Sequence, residues 1–165
     1  MDRIVLYPAA VLRKQFLECE LSSSDIQILA QRLVKVMERE KSGIGIAAPQ
    51  IGISARIAIV DVSSRNVSAK RLILVNPIIL DKKNPEIGRE GCMSIPDYTA
   101  LITRFQWIRF SYQDEHGQLH EKISSGIEAV CVQHEIDHLN GKLLIDCVSC
   151  LKTDLLPRKV SKIRP

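Results

Sequence analysis

Residues 125–141 read Ser-Gly-Ile-Glu-Ala-Val-Cys-Val-Gln-His-Glu-Ile-Asp-His-Leu-Asn-Gly, and this stretch decides the fold. Ser125 and Glu128 match the S-x-x-E capping box, which predicts a helix start where each side chain satisfies the other residue's free backbone donor. Asn140-Gly141 supplies the pair suited to a left-handed stop. Between them, Ile127, Ala129, Val130, Val132, Ile136 and Leu139 spread over several sides of the helix, the signature of a buried one. Inside this buried helix sits His134-Glu135-Ile136-Asp137-His138. Positions i and i+4 share a helix face, so two imidazoles can meet around one ion. Glu135 follows the first His and is placed to act as base toward a water activated there.

A buried helix needs elements around it. Ser22–Ser24 and Asp25 offer N-cap chemistry and an acidic first turn for an earlier helix. Its apolar stripe is Ile26, Leu29, Ala30, Leu33, Val36 and Met37, and Gly43 stops it after the charged turn 38–41. Residues 57–62 and 72–75 are short, branched runs bounded by polar turns and predict strands, with Ser63–Lys70 an exposed connection. Residues 107–113 alternate, and Asp114-Glu115-His116-Gly117 predicts a hairpin turn into 118–123.

The chain has 165 residues, 45% hydrophobic and 25% charged, which suits one globular domain with a core of its own. No apolar run approaches the roughly 20 residues of a membrane span, and Met1–Pro8 is too short and broken for a signal segment. Five cysteines, at 19, 92, 131, 147 and 150, are an odd set that points to reduced thiols. Cys147 and Cys150 form a CxxC with no second pair to complete a zinc motif. The net charge of +4 is too mild to imply a nucleic-acid partner. The stretch from about 152 to 165 is more basic, with Lys152, Arg158, Lys159, Lys162 and Arg164 against Asp154. A solvated tail is the plain reading, and contact with an RNA-rich assembly the sharper one.

Two histidines leave a catalytic metal site short of a third ligand. No His follows His138, and Asp146, Asp154, Cys147 and Cys150 lie in no ligand motif. Upstream, Glu90-Gly91-Cys92-Met93-Ser94-Ile95-Pro96 places a cysteine after a glycine, where backbone can approach closely and the next amides can point into a cavity. Gly43-Ile44-Gly45-Ile46-Ala47-Ala48-Pro49-Gln50-Ile51-Gly52 is the third segment. Its glycines leave amides open to a substrate backbone, and Gln50 can donate to an oxyanion. It lacks the ending of a phosphate loop.

Taken in order, GIGIAAPQ at 43–50, EGCMS at 90–94 and QHEIDH at 133–138 resemble the three motifs of the peptide deformylase family. The resemblance runs from Tyr7-Pro8 and Leu12-Arg13 to Ile145-Asp146. It implies an α+β fold, with the HExxH helix packed among small antiparallel β-sheets, and a single catalytic domain over 1–165. It implies a metal-dependent hydrolase that removes the formyl group from N-terminal formylmethionine of nascent polypeptides and releases formate. Carried over by position, Cys92, His134 and His138 would bind the metal and Glu135 would be the general acid/base. Gln50 and the Met93 amide would hold the oxyanion. Gly45 would pair with the substrate backbone, Gly91 would join the substrate wall, and Ile44, Val130 and Cys131 would line the methionine pocket. Fe²⁺ is the implied ion, and Zn²⁺, Ni²⁺ or Co²⁺ suit the same ligands. A cytoplasmic location, no membrane partner, no sequence-specific nucleic acid and a ribosome contact through the basic tail complete the expectations.

Met93 replaces the usual leucine, and Thr99 stands where some members carry arginine, which leaves contacts to the far part of the peptide open. Two rivals remain at this stage: a zincin-type peptidase, which shares HExxH but needs neither Cys92 nor the first glycine loop, and a silent ribosome-binding relative.

Overall fold

The computed structural model describes residues 2–18, 20–40 and 43–158. Cys19, Lys41 and the end of the basic stretch, with Lys159, Lys162 and Arg164, lie outside them. The first helix, α1, spans Ser23–Arg39. Ser22 caps it by accepting a hydrogen bond from the Asp25 amide at 3.2 Å. All six residues of the expected stripe are buried, and the five larger than Ala30 each contribute roughly 1.5–3 kcal/mol if fully removed from water. They pack on Ile46, Ile57 and Ile59. The helix stops earlier than Gly43: Glu40 is its C-cap, with its amide bonded to the Met37 carbonyl at 3.0 Å.

The strands are β1 (Gly45–Ala47), β2 (Ile57–Val60), β3 (Leu72–Cys92), β4 (Ile95–Gln113), β5 (Leu119–Ser125) and β6 (Leu155–Pro157). They pair antiparallel in the order β1-β2-β3-β4-β5, and β6 pairs with β4 at Tyr98–Ala100, on the same edge as β5 but at the other end of the strand. A single hydrogen-bonded path thus links the small sheets expected around the helix. What links them is the long hairpin β3–β4, of which only 72–75 and 107–113 are legible as strand. Asn76-Pro77 and Asn84-Pro85 read as turn chemistry. In the fold both asparagines take positive φ, 50° and 57°, and the ladder shifts register around 75–81. The turn residues bend a strand rather than end it.

The hairpin closes on Met93-Ser94, with Cys92 paired to Ile95. Helix α2, Gly126–Leu139, follows β5 directly and lies against β1, β2 and β4. The two short helices α3 (Leu144–Cys147) and α4 (Leu151–Asp154) follow. The C-terminal stop of α2 forms as expected: Gly141 takes φ 70°, its amide reaches His138, and the Lys142 amide reaches Asp137.

The start of α2 differs from expectation. Ser125 is the N-cap residue, but its side chain makes no capping bond. The Glu128 carboxylate instead accepts from the Ser124 hydroxyl and pairs with Lys122 at 2.8 Å, so two β5 side chains have taken the group a capping box needs. The burial of α2 is also one-sided at its N-terminal end, where Ile127 is 44% exposed. Residues 151–157, where the basic stretch begins, form α4 and β6 rather than loose chain. Among the described residues no helix is long and apolar enough to cross a membrane.

Candidate metal centre

Three elements meet at one point: the hairpin tip carries Cys92, α2 carries His134, Glu135 and His138, and the segment after β1 carries Gln50. The Cys92 sulfur and the two imidazoles offer ligand atoms that all lie within 4.8 Å of one another. Cys92 Sγ stands 3.2 Å from His138 Nε2. Two donors bound to one tetrahedral ion sit roughly 3.5 Å apart, given ordinary metal–sulfur and metal–nitrogen lengths, so this pair is spaced as ligands are, and His134 lies within reach of the same point.

The tautomer of His134 suits the same role. Its Nδ1–H donates to Glu90 Oε2 at 2.9 Å, which leaves Nε2 with a lone pair for the centre. Burial would keep His134 neutral, but the Cys92 sulfur and the Glu90 carboxylate outweigh it and favour positive charge at this spot. Burial holds His138 well below the usual histidine range, so it stands ready as a neutral donor. A soft thiolate with two imidazoles fits Zn²⁺, Fe²⁺, Co²⁺ or Ni²⁺ and is a poor match for Mg²⁺ or Ca²⁺.

Behind the ligands lies a network that sequence reasoning did not assign. Arg104, on β4, places Nε and Nη2 on the two oxygens of Glu90 at 2.8 and 3.1 Å. Its Nη1 reaches Asp137 Oδ2 at 2.5 Å. Burial would raise the Glu90 carboxyl, yet the hydrogen bonds from His134 and Arg104 hold it at about 2. Glu90 and Asp137 lie inside the quoted motifs, and an acid beside each ligand segment was the available signal. Arg104 gave none, since no strand or helix period ties residue 104 to 90 and 137.

Glu135 is buried, and its Oε2 has no hydrogen-bond partner among the described residues. Burial raises its carboxyl to about 7. A glutamate poised near neutrality and free of partners is suited to moving protons. Its Oε1 lies so close to Gly45 that any Cβ there would collide with it, and that same Cβ would stand 2.6 Å from Cys131 Sγ. Gly45 is glycine because β1 backbone runs directly over the acid.

Gln50 is buried and oriented by its neighbours. Its Oε1 accepts from the Ala47 amide at 2.9 Å, so its amide nitrogen turns toward Ser94 Oγ at 3.3 Å and Cys92 Sγ at 3.7 Å. Met93 occupies the hairpin turn, and its N–H has no backbone acceptor among the described residues. A cleft of about 600 Å³ opens over the trio. Its wall includes Ile44, Gly45, Gly91, Val130 and Cys131, all named from sequence, together with Ile127. The Cys131 thiol donates to the Ile44 carbonyl at 3.3 Å, and burial pushes its pKa up, so it is a neutral, largely apolar part of the wall. Cys147 and Cys150 stand apart from the cleft. Cys147 bonds to Asp137 and Leu143, and Cys150 is exposed.

The chain is similar to known proteins in both sequence and fold. The family model described as polypeptide deformylase matches residues 1–154. A peptide deformylase of Alkalilimnicola ehrlichii is 39% identical over 160 residues, covering 97% of this chain and 89% of that protein. One of Bartonella tribocorum is 40% identical over 167 residues, covering 98% and 92%. Among solved structures, the peptide deformylase from Thermotoga maritima is similar with a TM-score of 0.83 and 34% identity, covering 91% of this chain and 99% of that one. The Legionella pneumophila enzyme gives a TM-score of 0.85 and 33% identity, covering 92% and 88%.

Proposed function

The chain belongs to the peptide deformylase family, and on that premise we propose how its residues divide the removal of the formyl group from N-formylmethionyl peptides. The chain is a metallohydrolase that cleaves a linear amide, yielding formate and a free amino terminus. The observation that carries the division of labour is the Cys92–His134–His138 trio beside the buried Glu135 carboxylate, whose Oε2 has no hydrogen-bond partner among the described residues.

Cys92, His134 and His138 would hold the ion, and Fe²⁺ is the proposed occupant, with Zn²⁺, Ni²⁺ or Co²⁺ as substitutes. When bound, the ion supplies a Lewis acid and lowers the pKa of water beside it. Glu135 takes a proton from the attacking water and returns it to the departing amine. The Gln50 amide nitrogen and the Met93 N–H donate to the oxygen that becomes negative as the formyl carbon turns tetrahedral. Gly45 pairs with the peptide backbone along the open edge of β1, in the manner of an added strand. Ile44, Val130 and Cys131 receive the methionine side chain, and Gly91 bounds the opposite wall. Glu90 and Arg104 hold His134 in orientation.

The proposed substrates are nascent chains, and a cytoplasmic enzyme of one catalytic domain is the reading we propose to go with them. Exposed Lys152, together with the basic residues beyond Arg158, is the proposed ribosome contact. Anaerobic purification with metal analysis and a formate-release assay on formyl-Met-Ala-Ser tests the assignment. One ion per chain with formate release is expected. Cleavage of an unblocked longer peptide in its place would overturn the reading.

A further inference from the structure

We propose that Arg158 is a specificity-determining residue whose guanidinium receives a carboxylate carried by the peptide within about three residues of the formylmethionine. The inference rests on the deformylase reading above and deepens it. Its starting point is the path of the chain. Strand β6 pairs with β4 at Tyr98, Thr99 and Ala100, and the Arg158 amide then donates to the Asp97 carbonyl at 2.7 Å. The backbone of Arg158 is therefore fixed by the ladder. From there its side chain turns back over Gly91, and Nη2 fills the room that a Cβ at position 91 would need. Gly91 immediately precedes the ligand Cys92, so a cation from the last strand is brought to the wall of the reaction cleft.

Two further observations give that cation a task. Arg65 and Arg89 line the same cleft, with Glu40 as an acid on its rim. Elsewhere, Arg32, Arg71, Arg104 and Arg109 are each paired with a carboxylate. Among the described residues Arg65, Arg89 and Arg158 have no such pairing. A guanidinium presents a planar fork that takes a carboxylate in two parallel hydrogen bonds. An extended peptide advances roughly 3.3 Å per residue. A side chain one to three residues past the methionine therefore reaches the neighbourhood of Gly91, where Arg158 is held.

The test uses the full chain, loaded with metal, and formyl tetrapeptide amides that differ only in having Glu or Lys at the second or the third residue. The wild type is expected to prefer Glu at one of these places by roughly three- to fivefold in kcat/KM, the upper range for a solvent-facing ion pair. The preference should reside in KM and shrink in 0.5 M salt. R158A should abolish it, R158E should turn it toward Lys, and R158K should keep its direction, with metal content and Tm measured in each variant. No Glu preference in the wild type overturns the proposal, and so does a preference that survives in R158E. A uniform rise with every peptide in R158A overturns it as well, by marking Arg158 as an obstruction. If metal is bound and no formylated peptide releases formate, the deformylase reading fails and takes this proposal with it.

Discussion

Single side chains decide the chemistry. Glu135→Ala should keep its metal, because the carboxylate is not part of the ligand trio. It should lose formate release by at least 10²–10⁴-fold, the usual contribution of a general acid/base. Metal analysis beside a formate assay checks both halves, and near-normal turnover would remove Glu135 from the mechanism. Cys92 is buried and 3.2 Å from His138. As a ligand its thiolate is protected, so iodoacetamide should label it only after a chelator strips the ion. Equal labelling with and without metal would take Cys92 out of the coordination sphere. The residues that meet at the cleft, Cys92, His134, His138, Glu135 and Gln50, were all legible in the sequence, since the helix repeat links His134 to His138 and short motifs mark Cys92 and Gln50. Arg158 was legible only as part of a basic tail, because the pairing that folds it back over Gly91 is a long-range event.

At the scale of elements, the network of Glu90, Arg104 and Asp137 ties β3, β4 and α2 into one frame behind the ligands. Arg104→Met should leave the buried Glu90 carboxylate and the half-buried Asp137 carboxylate without their shared cation. A loss of about 3–5 kcal/mol is expected in denaturant titration, as for other broken buried pairs. Glu90→Gln should lower metal affinity by roughly 10–100-fold through loss of the partner of His134. The stability that Glu90 contributes also has a sign in pH. Its folded value of about 2 lies below the ordinary 4.5, so the contribution is present above 4.5 and fades as pH falls toward 2. The gap in stability between wild type and Glu90→Gln should close over that window, and a gap that widens there would contradict the assignment. This frame explains why the long strands were illegible. Pro77 and Pro85 speak against strand locally, whereas pairing along β3–β4 outweighs them. The capping box failed for a related reason: Ser124 and Lys122 are nearer partners for Glu128 than the helix backbone is.

Across the whole molecule, the ion would join parts that are distant in sequence. Cys92 comes from a hairpin tip, and His134 and His138 come from a helix formed after two more strands. The unfolded chain has no preformed site, so metal binding favours the folded state by mass action. At a free metal concentration about 100 times Kd, that amounts to roughly 2.7 kcal/mol. Chelation should then lower Tm by roughly 5–10 °C in a domain of this size. A thermal scan with and without a strong chelator measures it, and an unchanged midpoint would mean that the ion does not bind the fold.

The close passage of β1 over Glu135 has a consequence for inhibition and escape. A compound that hydrogen-bonds to the Gly45 backbone meets a surface that is hard to alter by substitution, because even the smallest added side chain must displace the Glu135 carboxylate and the Cys131 sulfur. Substitutions at wall side chains such as Ile44, Ile127 or Val130 are the expected route of escape. Inhibitors that draw their affinity from the backbone rather than from those side chains should select resistant variants more slowly.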